Sequence, residues 1–420
     1  MHFTIKFINS NLLHPILKKI IKSYLNLEKH ILLMIKAEFF IQLIGSSFFL
    51  ILNIYLSKRG FSDPDIANFI SYRFLAVMLL AFPLGFYIKG KRLKPFFILG
   101  SLGVPLVAIF LIVAVQNYWY QFLPLLFILW GIVFTLFQVS SLPYIMRNTD
   151  IHNQSHAISL NYATHSFGTI LSGIIIFGFA HIMKEMDEGI ILLFISFLGF
   201  FGFYFLLKMK VDVVVPIKKG LHWRSYDWYL LFRAIIPTVI IAVGAGLTIP
   251  FINLFFFHNF QIDASEFAVI GGVASILVAV LSLMVPNIKN KLGFRKGITF
   301  TQTLAVLALV ALATTEFFAH FWWAFPVAVL CFWVRTPLMN MAAPMTSELT
   351  MNYVGKKNQE MLSAIIAAIW SGSWFFSSQI FRFLKSEGLP YAYIFYITAI
   401  LYGFGVFMYY LLILDYEKRK

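Results

Sequence analysis

The sequence predicts an all-helical polytopic membrane protein, with twelve transmembrane helices in two pseudo-symmetric six-helix bundles. Three observations carry that prediction: an apolar composition, twelve apolar runs of spanning length, and a repeat that relates one half of the chain to the other. Of 420 residues, 60% are hydrophobic and 12% charged, with 48 Phe, 19 Tyr and 9 Trp. A soluble domain carries about 25% charge and must wet most of its surface, so a soluble fold is excluded. A single cysteine, Cys331, permits neither an internal disulfide nor a cysteine-based zinc cluster.

The apolar runs, each near or above the roughly 20 residues that cross a bilayer, fall at 30–57, 64–88, 95–116, 118–146, 156–181, 190–207, 229–257, 265–286, 298–318, 321–347, 359–385 and 391–414. Residues 1–29 precede them. Leu12, Leu13, Ile16, Leu17, Ile20, Ile21, Tyr24 and Leu25 recur there at helical spacing with Lys18, Lys19 and Lys22 between them. The pattern predicts an amphipathic helix on the inner membrane surface. A first bundle is expected over 30–207, a cytoplasmic central loop over 208–228, a second bundle over 229–414 and a tail over 415–420.

The net charge of +15 resembles a nucleic-acid signature until the charges are placed. With both termini cytoplasmic, 24 of the 33 Lys and Arg fall on the cytoplasmic side and four on the other. That asymmetry orients the chain by the positive-inside rule and removes nucleic acid as a partner. The expected location is the cytoplasmic (inner) membrane, with the bilayer as the structural partner and a monomer as the unit.

Self-comparison supplies the repeat. Asn53 matches Asn253 and Asp63 matches Asp263, an offset of 200; Pro83, Gly90 and Arg92 match Pro286, Gly293 and Arg295, an offset of 203; Pro143 matches Pro344. Two parallel six-span halves are a signature of one transporter architecture. The loops after spans 2 and 8, Pro83 to Arg92 and Pro286 to Lys296, resemble the short Gly-x-x-x-Asp-Arg-x-Gly-Arg-Lys loop of the major facilitator superfamily. The Gly-x-Arg part is present in both, as Gly90/Arg92 and Gly293/Arg295, whereas the family's Asp falls on Tyr87 or Asn290. The resemblance implies that these loops act in gating. It also implies that spans 1, 2, 4, 5, 7, 8, 10 and 11 surround a central cavity. Span 5 reads Gly168-Thr-Ile-Leu-Ser-Gly173, without the Gly-Pro pair of the family's antiporters.

Ionisable groups at membrane depth are costly and therefore candidate site residues. Lys36, Arg233 and Arg382 lie close enough to span ends to reach the interface. Arg73 lies roughly 13 Å in, Glu38 about 12 Å in, His165 similarly deep, and Arg335 near the midplane. Glu38, Gln42, Gly45, Phe49 and Asn53 share one face of span 1; Asn161, His165, Gly168 and Ser172 share one of span 5; Ser363, Ala367, Trp370, Trp374 and Ser378 share one of span 11. The expected substrate-binding residues are Gln42, Arg73, Gln138, Arg335, Asn340, Trp370 and Trp374, and the expected proton-coupling residues are Glu38 and His165. If both arginines line the cavity, an anionic solute is favoured. Glu38 could instead pair with Lys36, His165 could be a neutral packing residue, and each arginine could brace helices.

Asp150-x-His152-x-x-x-His156 is expected in the loop before span 5, without a third ligand, so no metal site is assigned. No phosphate-binding loop, His-Glu-x-x-His or dinucleotide loop is present, which argues against an enzyme, a bound cofactor and ATP as the energy source. The expected function is secondary active transport of a small polar or anionic organic solute, coupled to protons or another ion, as symporter or antiporter. Two alternatives stand: a proton-driven multidrug efflux pump, and a non-transporting receptor or lipid-handling protein on the same fold.

Overall fold

The computed structural model describes residues 27–88, 91–182, 187–210, 226–355 and 358–419. Among them lie twelve long helices: α1 (Lys29–Lys58), α2 (Asp63–Tyr87), α3 (Lys94–Gln116), α4 (Leu123–Asn148), α5 (Ile151–Ile182), α6 (Glu188–Leu207), α7 (Trp228–Phe260), α8 (264–292), α9 (294–314), α10 (Ala324–Val354), α11 (Gln359–Ser386) and α12 (Tyr391–Lys418). There is no strand among the described residues. Helices are the expected answer in lipid, where each backbone N–H and C=O must be satisfied within its own segment.

Over the described residues, eleven of these helices contain stretches long and apolar enough to cross a membrane. On α11, the Ser377 hydroxyl donates to the Val243 carbonyl of α7.

Long helices joined by short connections alternate in direction. The chain therefore has a near end, with both termini, and a far end, with the turns after α1, α3, α5, α7, α9 and α11. Within the first half α1 packs on α5 and α6, and α2 and α3 pack on α4. In the second half α7 packs on α11 and α12, α8 and α9 on α10, and α9 on α12. The halves meet along α2 with α11, α5 with α8, and α1 with α7. One break and one close approach have local causes. Gly293, at φ +67°, is the one non-helical residue between α8 and α9. That left-handed conformation costs an L-residue with a side chain about 1–2 kcal/mol, so glycine makes the turn. Gly168 of α5 lies against α1, and a methyl there would sit 3.1 Å from the Gln42 carbonyl carbon.

Several expectations change here. The segment after Asp150 is helical from Ile151, so His156 stands on α5 rather than in a loop; the helix simply starts five residues before the apolar run does. The expected amphipathic helix lies almost wholly outside the described residues, as do Gly90 and positions 211–225 of the central loop. Lys36 is not the partner of Glu38: its ammonium sits over the Phe205 ring of α6, 5.6 Å from the centroid.

Candidate functional site

Each membrane-depth group can be followed to its neighbours. Glu38, 3% exposed on α1, accepts from Gln42 Nε2 at 2.8 Å and from Ser141 Oγ of α4 at 3.0 Å. No basic group among the described residues lies within ion-pair distance of it. The Gln42 bond follows from i,i+4 spacing on one helix face; the Ser141 bond comes from tertiary packing.

One turn further along α1 the neighbourhood becomes aromatic. A methyl on Gly45 would touch the Phe134 ring at 3.3 Å and Gln42 Oε1 at 3.9 Å, so ring and amide flank the same backbone position. Phe134 in turn belongs to the surroundings of Arg73. The Arg73 guanidinium carbon lies 4.1 Å from the Trp130 ring centre, 5.3 Å from Phe134 and 5.6 Å from Phe74. Phe48 packs edge-on against Trp130 at 4.9 Å, and Phe74 against Trp374 of α11 at 5.0 Å. Arg73 Nε, Trp130 Nε1 and Trp374 Nε1 are buried and find no acceptor. Arg73 makes no hydrogen bond or ion pair among the described residues. Rings hold a guanidinium by cation–π attraction without neutralising it, so this group keeps a full positive charge at membrane depth.

Arg335 is 3% exposed, lies over the Tyr402 ring of α12 and donates through Nη2 to the Tyr402 hydroxyl at 3.1 Å; its Nε, like that of Arg73, finds no acceptor, and no carboxylate among the described residues pairs with it. The structure thus keeps the two arginines apart: Arg73 lies among rings of α2 and α4, and Arg335 reaches toward the outer helix of its own half. Asn340 is exposed and donates to its own helix at the Thr336 carbonyl, so it does not join Arg335. Gln138 and Trp370 are exposed, without a hydrogen bond among the described residues. His165 is exposed and is not joined to Glu38. The α5 stripe below it, Gly168, Thr169 and Ser172, is used in packing on α1: Thr169 bonds Ser46 at 3.0 Å and Ser172 bonds the Leu43 carbonyl at 3.0 Å.

At the near-end loops, Arg295 donates to the Tyr410 hydroxyl at 2.7 Å, and Arg92 is exposed without a hydrogen bond or ion pair. Arg147 of α4 caps that loop instead, donating to the Lys91 carbonyl at 3.0 Å. The sequence had marked Arg147 only as a topology charge. Trp130 and Ser141 carried no signal either, being uncharged residues with no spacing motif.

The far end is bonded across the two halves. Asn53 Nδ2 donates to the Pro250 carbonyl at 2.6 Å and to Asn253 Oδ1 at 3.1 Å; Asn253 Nδ2 donates back to the Leu50 carbonyl at 3.2 Å. Lys58 pairs with Asp263 at 3.0 Å, and His258 with Asp63 at 3.0 Å. Asp63 also accepts from the Tyr391 hydroxyl and lies 3.6 Å from Lys385 Nζ. Gln379 and Arg382 of α11 donate to Asn68 of α2. These cross-half bonds gather in the far half of the molecule.

Twelve helices in two related halves, with arginines at membrane depth that no carboxylate among the described residues pairs, define a membrane transport protein, and the comparisons with known proteins give its family. The sequence profile of the Major Facilitator Superfamily matches residues 34–378, and the chain belongs to that family. No curated protein matches it in sequence. Solved structures similar in fold include the nucleoside transporter NupG (TM-score 0.73, 13% identity, 91% of this chain and 99% of that one). The POT family transporter PepTSo is similar as well (0.70, 12%, 93% and 99%). So is a bacterial homologue of the iron transporter ferroportin in its inward-facing state (0.68, 11%, 91% and 98%). At such identities the likeness is one of fold.

Proposed function

We propose that this protein is a secondary active transporter that carries a small anionic organic solute across the cytoplasmic membrane by alternating access, with proton coupling at Glu38. The observation that carries the reading is the Arg73 guanidinium, half-buried among rings at membrane depth with its Nε enclosed and no anion among the described residues to balance it. A charge in such a place is costly unless a partner or water meets it, and a carboxylate or phosphate can take two of its N–H groups at once. Three buried N–H donors without acceptors raise the gain when an acceptor arrives. Among the described residues, no group of three His, Cys, Asp or Glu comes together that could hold a metal ion, so the metal-transporting relatives in fold do not guide the choice of cargo.

Glu38 supports the coupling. A buried carboxyl that accepts from two neutral donors and meets no cation among the described residues is a group that can take up and release a proton. Gln42, bonded to Glu38, and Phe134, beside Arg73, flank the same glycine of α1, Gly45, so proton and solute would bind within one neighbourhood. His165 stands apart and would serve, if at all, as a separate proton acceptor. Arg335 acts in this reading as a brace to Tyr402, and Gln138, Asn340 and Trp370 as cavity wall. Gly293 and Arg295 shape the near-end loop.

With 24 basic residues at the near end, that end is cytoplasmic, and the bonded far end faces outward. The conformation described is then closed to the outside. Uptake or counterflow of carboxylates and phosphates in proteoliposomes tests the reading. It requires transport by the wild type, loss in Arg73→Ala, and a dependence on the pH gradient that disappears in Glu38→Gln. A second reading, export of lipophilic compounds, is favoured by the rings of Phe48, Phe74, Trp130, Phe134 and Trp374; it requires that transport of a neutral dye survive Arg73→Ala.

A further inference from the structure

The far-end bonds repeat with the period of the chain. Asn53 donates to the carbonyl of residue 250, and Asn253 to the carbonyl of residue 50. Lys58 reaches Asp263, and residue 258 reaches Asp63. Every pair maps onto the other by adding 200 to one partner and subtracting 200 from the other. The helices are interrupted at similar places as well: α1 has a π-helical turn over Phe48–Leu52 and α7 a 3-10 turn over Ile249–Phe251. The first turn ends directly before Asn53 and the second one residue before Asn253, with Ile252 between. Such irregular turns loosen the backbone ladder, and here the other half's asparagine satisfies the carbonyls of Leu50 and Pro250. The closure is thus one device built twice, with a single change in its charged arm: the lysine of the first half is a histidine in the second.

We propose that this substitution makes closure of the far end pH-sensitive, with His258 as the titrating arm and Lys58 as the constant one. The proposal concerns the regulation of the transporter described above, and rests on that reading only in needing two exchanging states. Lysine keeps its charge through the physiological range, whereas histidine is the side chain whose charge changes between about pH 5 and 8. With the imidazole protonated, the contact with Asp63 is an ion pair; with it neutral, one hydrogen bond remains and the charge attraction is gone. Acid on the outer side therefore favours the closed far end, and alkali loosens it.

The surroundings set the size of the effect. From α2, His258 meets Asp63; from α11, Lys385 stands beside the same carboxylate; from α12, Tyr391 stacks on the imidazole at 6.2 Å and donates to Asp63. Glu316, between α9 and α10, lines the same cavity of about 470 Å3 but is engaged by the backbone N–H groups of Tyr391 and Ala392. The other arm, Lys58 with Glu188 and Asp263, holds no imidazole. Asp63 keeps Lys385 and Tyr391 at every pH, so the histidine modulates the closure rather than making it. An arm in which the imidazole is 39% exposed shifts the balance by a few-fold, the scale of a half-exposed ion pair.

Spin labels at Asn117→Cys and Trp322→Cys, in a Cys331→Ala background, place one probe at the far end of each half, and their separation in nanodiscs reports opening. The wild type should show the share of open molecules rising roughly three- to fivefold from about pH 5.5 to 8. His258→Lys should flatten that response, and Lys58→His should steepen it. If His258→Lys titrates as the wild type does, if Lys58→His does not steepen the response, or if the wild type opens in acid, the proposal is overturned. If the labels report one fixed separation at every pH in every variant, alternating access fails together with it. If the states exchange but ignore both substitutions, only the pH arm fails.

Discussion

The two halves of this transporter are alike at their far ends and unlike at their centres. At the far end, asparagine answers asparagine and ion pair answers ion pair across the seam. At the centre, the first half holds a guanidinium among rings without an anion, and a carboxyl bonded only to neutral groups. The second half holds one arginine, satisfied in part by a tyrosine of its own outer helix. The difference teaches that duplicated architecture conserves what both halves must do together, which is to close, and leaves each half free in what it does alone. In the function proposed above, solute and proton chemistry gather in the first half, and the second supplies α11, whose Trp374 leans on Phe74, as the opposing wall.

That contrast can be broken or sharpened by substitution. The largest effect is expected from the arginines. Arg73→Ala should weaken binding of an anionic solute by about 2–4 kcal/mol, the loss of a buried charge-assisted contact, with little change in stability. Arg335→Ala should instead lower thermal stability by about 1–3 kcal/mol through the stranded Tyr402 hydroxyl, with anion affinity retained; binding and melting curves on both variants decide it. Glu38→Gln comes next. Uptake driven by a pH gradient should fall to its level without a gradient, while counterflow persists, because the glutamine can accept from Gln42 through Oε1 and donate to Ser141 Oγ through Nε2 but has no titratable proton. Gly293→Ala should cost about 1–2 kcal/mol in stability from the left-handed backbone at that position, read as a lower melting temperature. The smallest effect belongs to the closure: Asn53→Ala or Asn253→Ala should each shift the state balance toward the open far end by about 1 kcal/mol, one net hydrogen bond, visible in the spin-label distances.

Most of the fold was legible in the sequence because lipid leaves few choices. Twelve apolar runs had to be helices, and the 200-residue offset of Asn53 and Asp63 announced the halves. Helix starts were less legible, since α5 begins at Ile151 in polar sequence that no apolar count reaches. The site was legible only where charge marks it. Glu38, Arg73 and Arg335 stand out in an apolar chain, but their partners do not: Ser141 and Trp130 are ordinary letters on α4 until packing brings them to α1 and α2. The pairing of Lys58 with His258 as counterparts was hidden for a different reason. A repeat search looks for identity, and here the informative position is the one where the halves differ. Arg335 and Asn340 looked alike in placement to Arg73 and Gln42, yet a side chain's direction around the helix, set by neighbours far away in sequence, sends one to Tyr402 and the other back to its own Thr336 carbonyl.

The central claim is that Arg73 receives an anionic solute. Its most direct test is a thermal-shift screen of the purified protein and of Arg73→Ala against a panel of carboxylates, organic phosphates and neutral sugars. A ligand at 100 times its Kd stabilises the native state by about 2.7 kcal/mol, well within reach of the method. We expect at least one carboxylate or phosphate to raise the melting temperature of the wild type and to leave that of Arg73→Ala unmoved. Stabilisation by neutral compounds alone, or by the same anion equally in both proteins, would contradict the account.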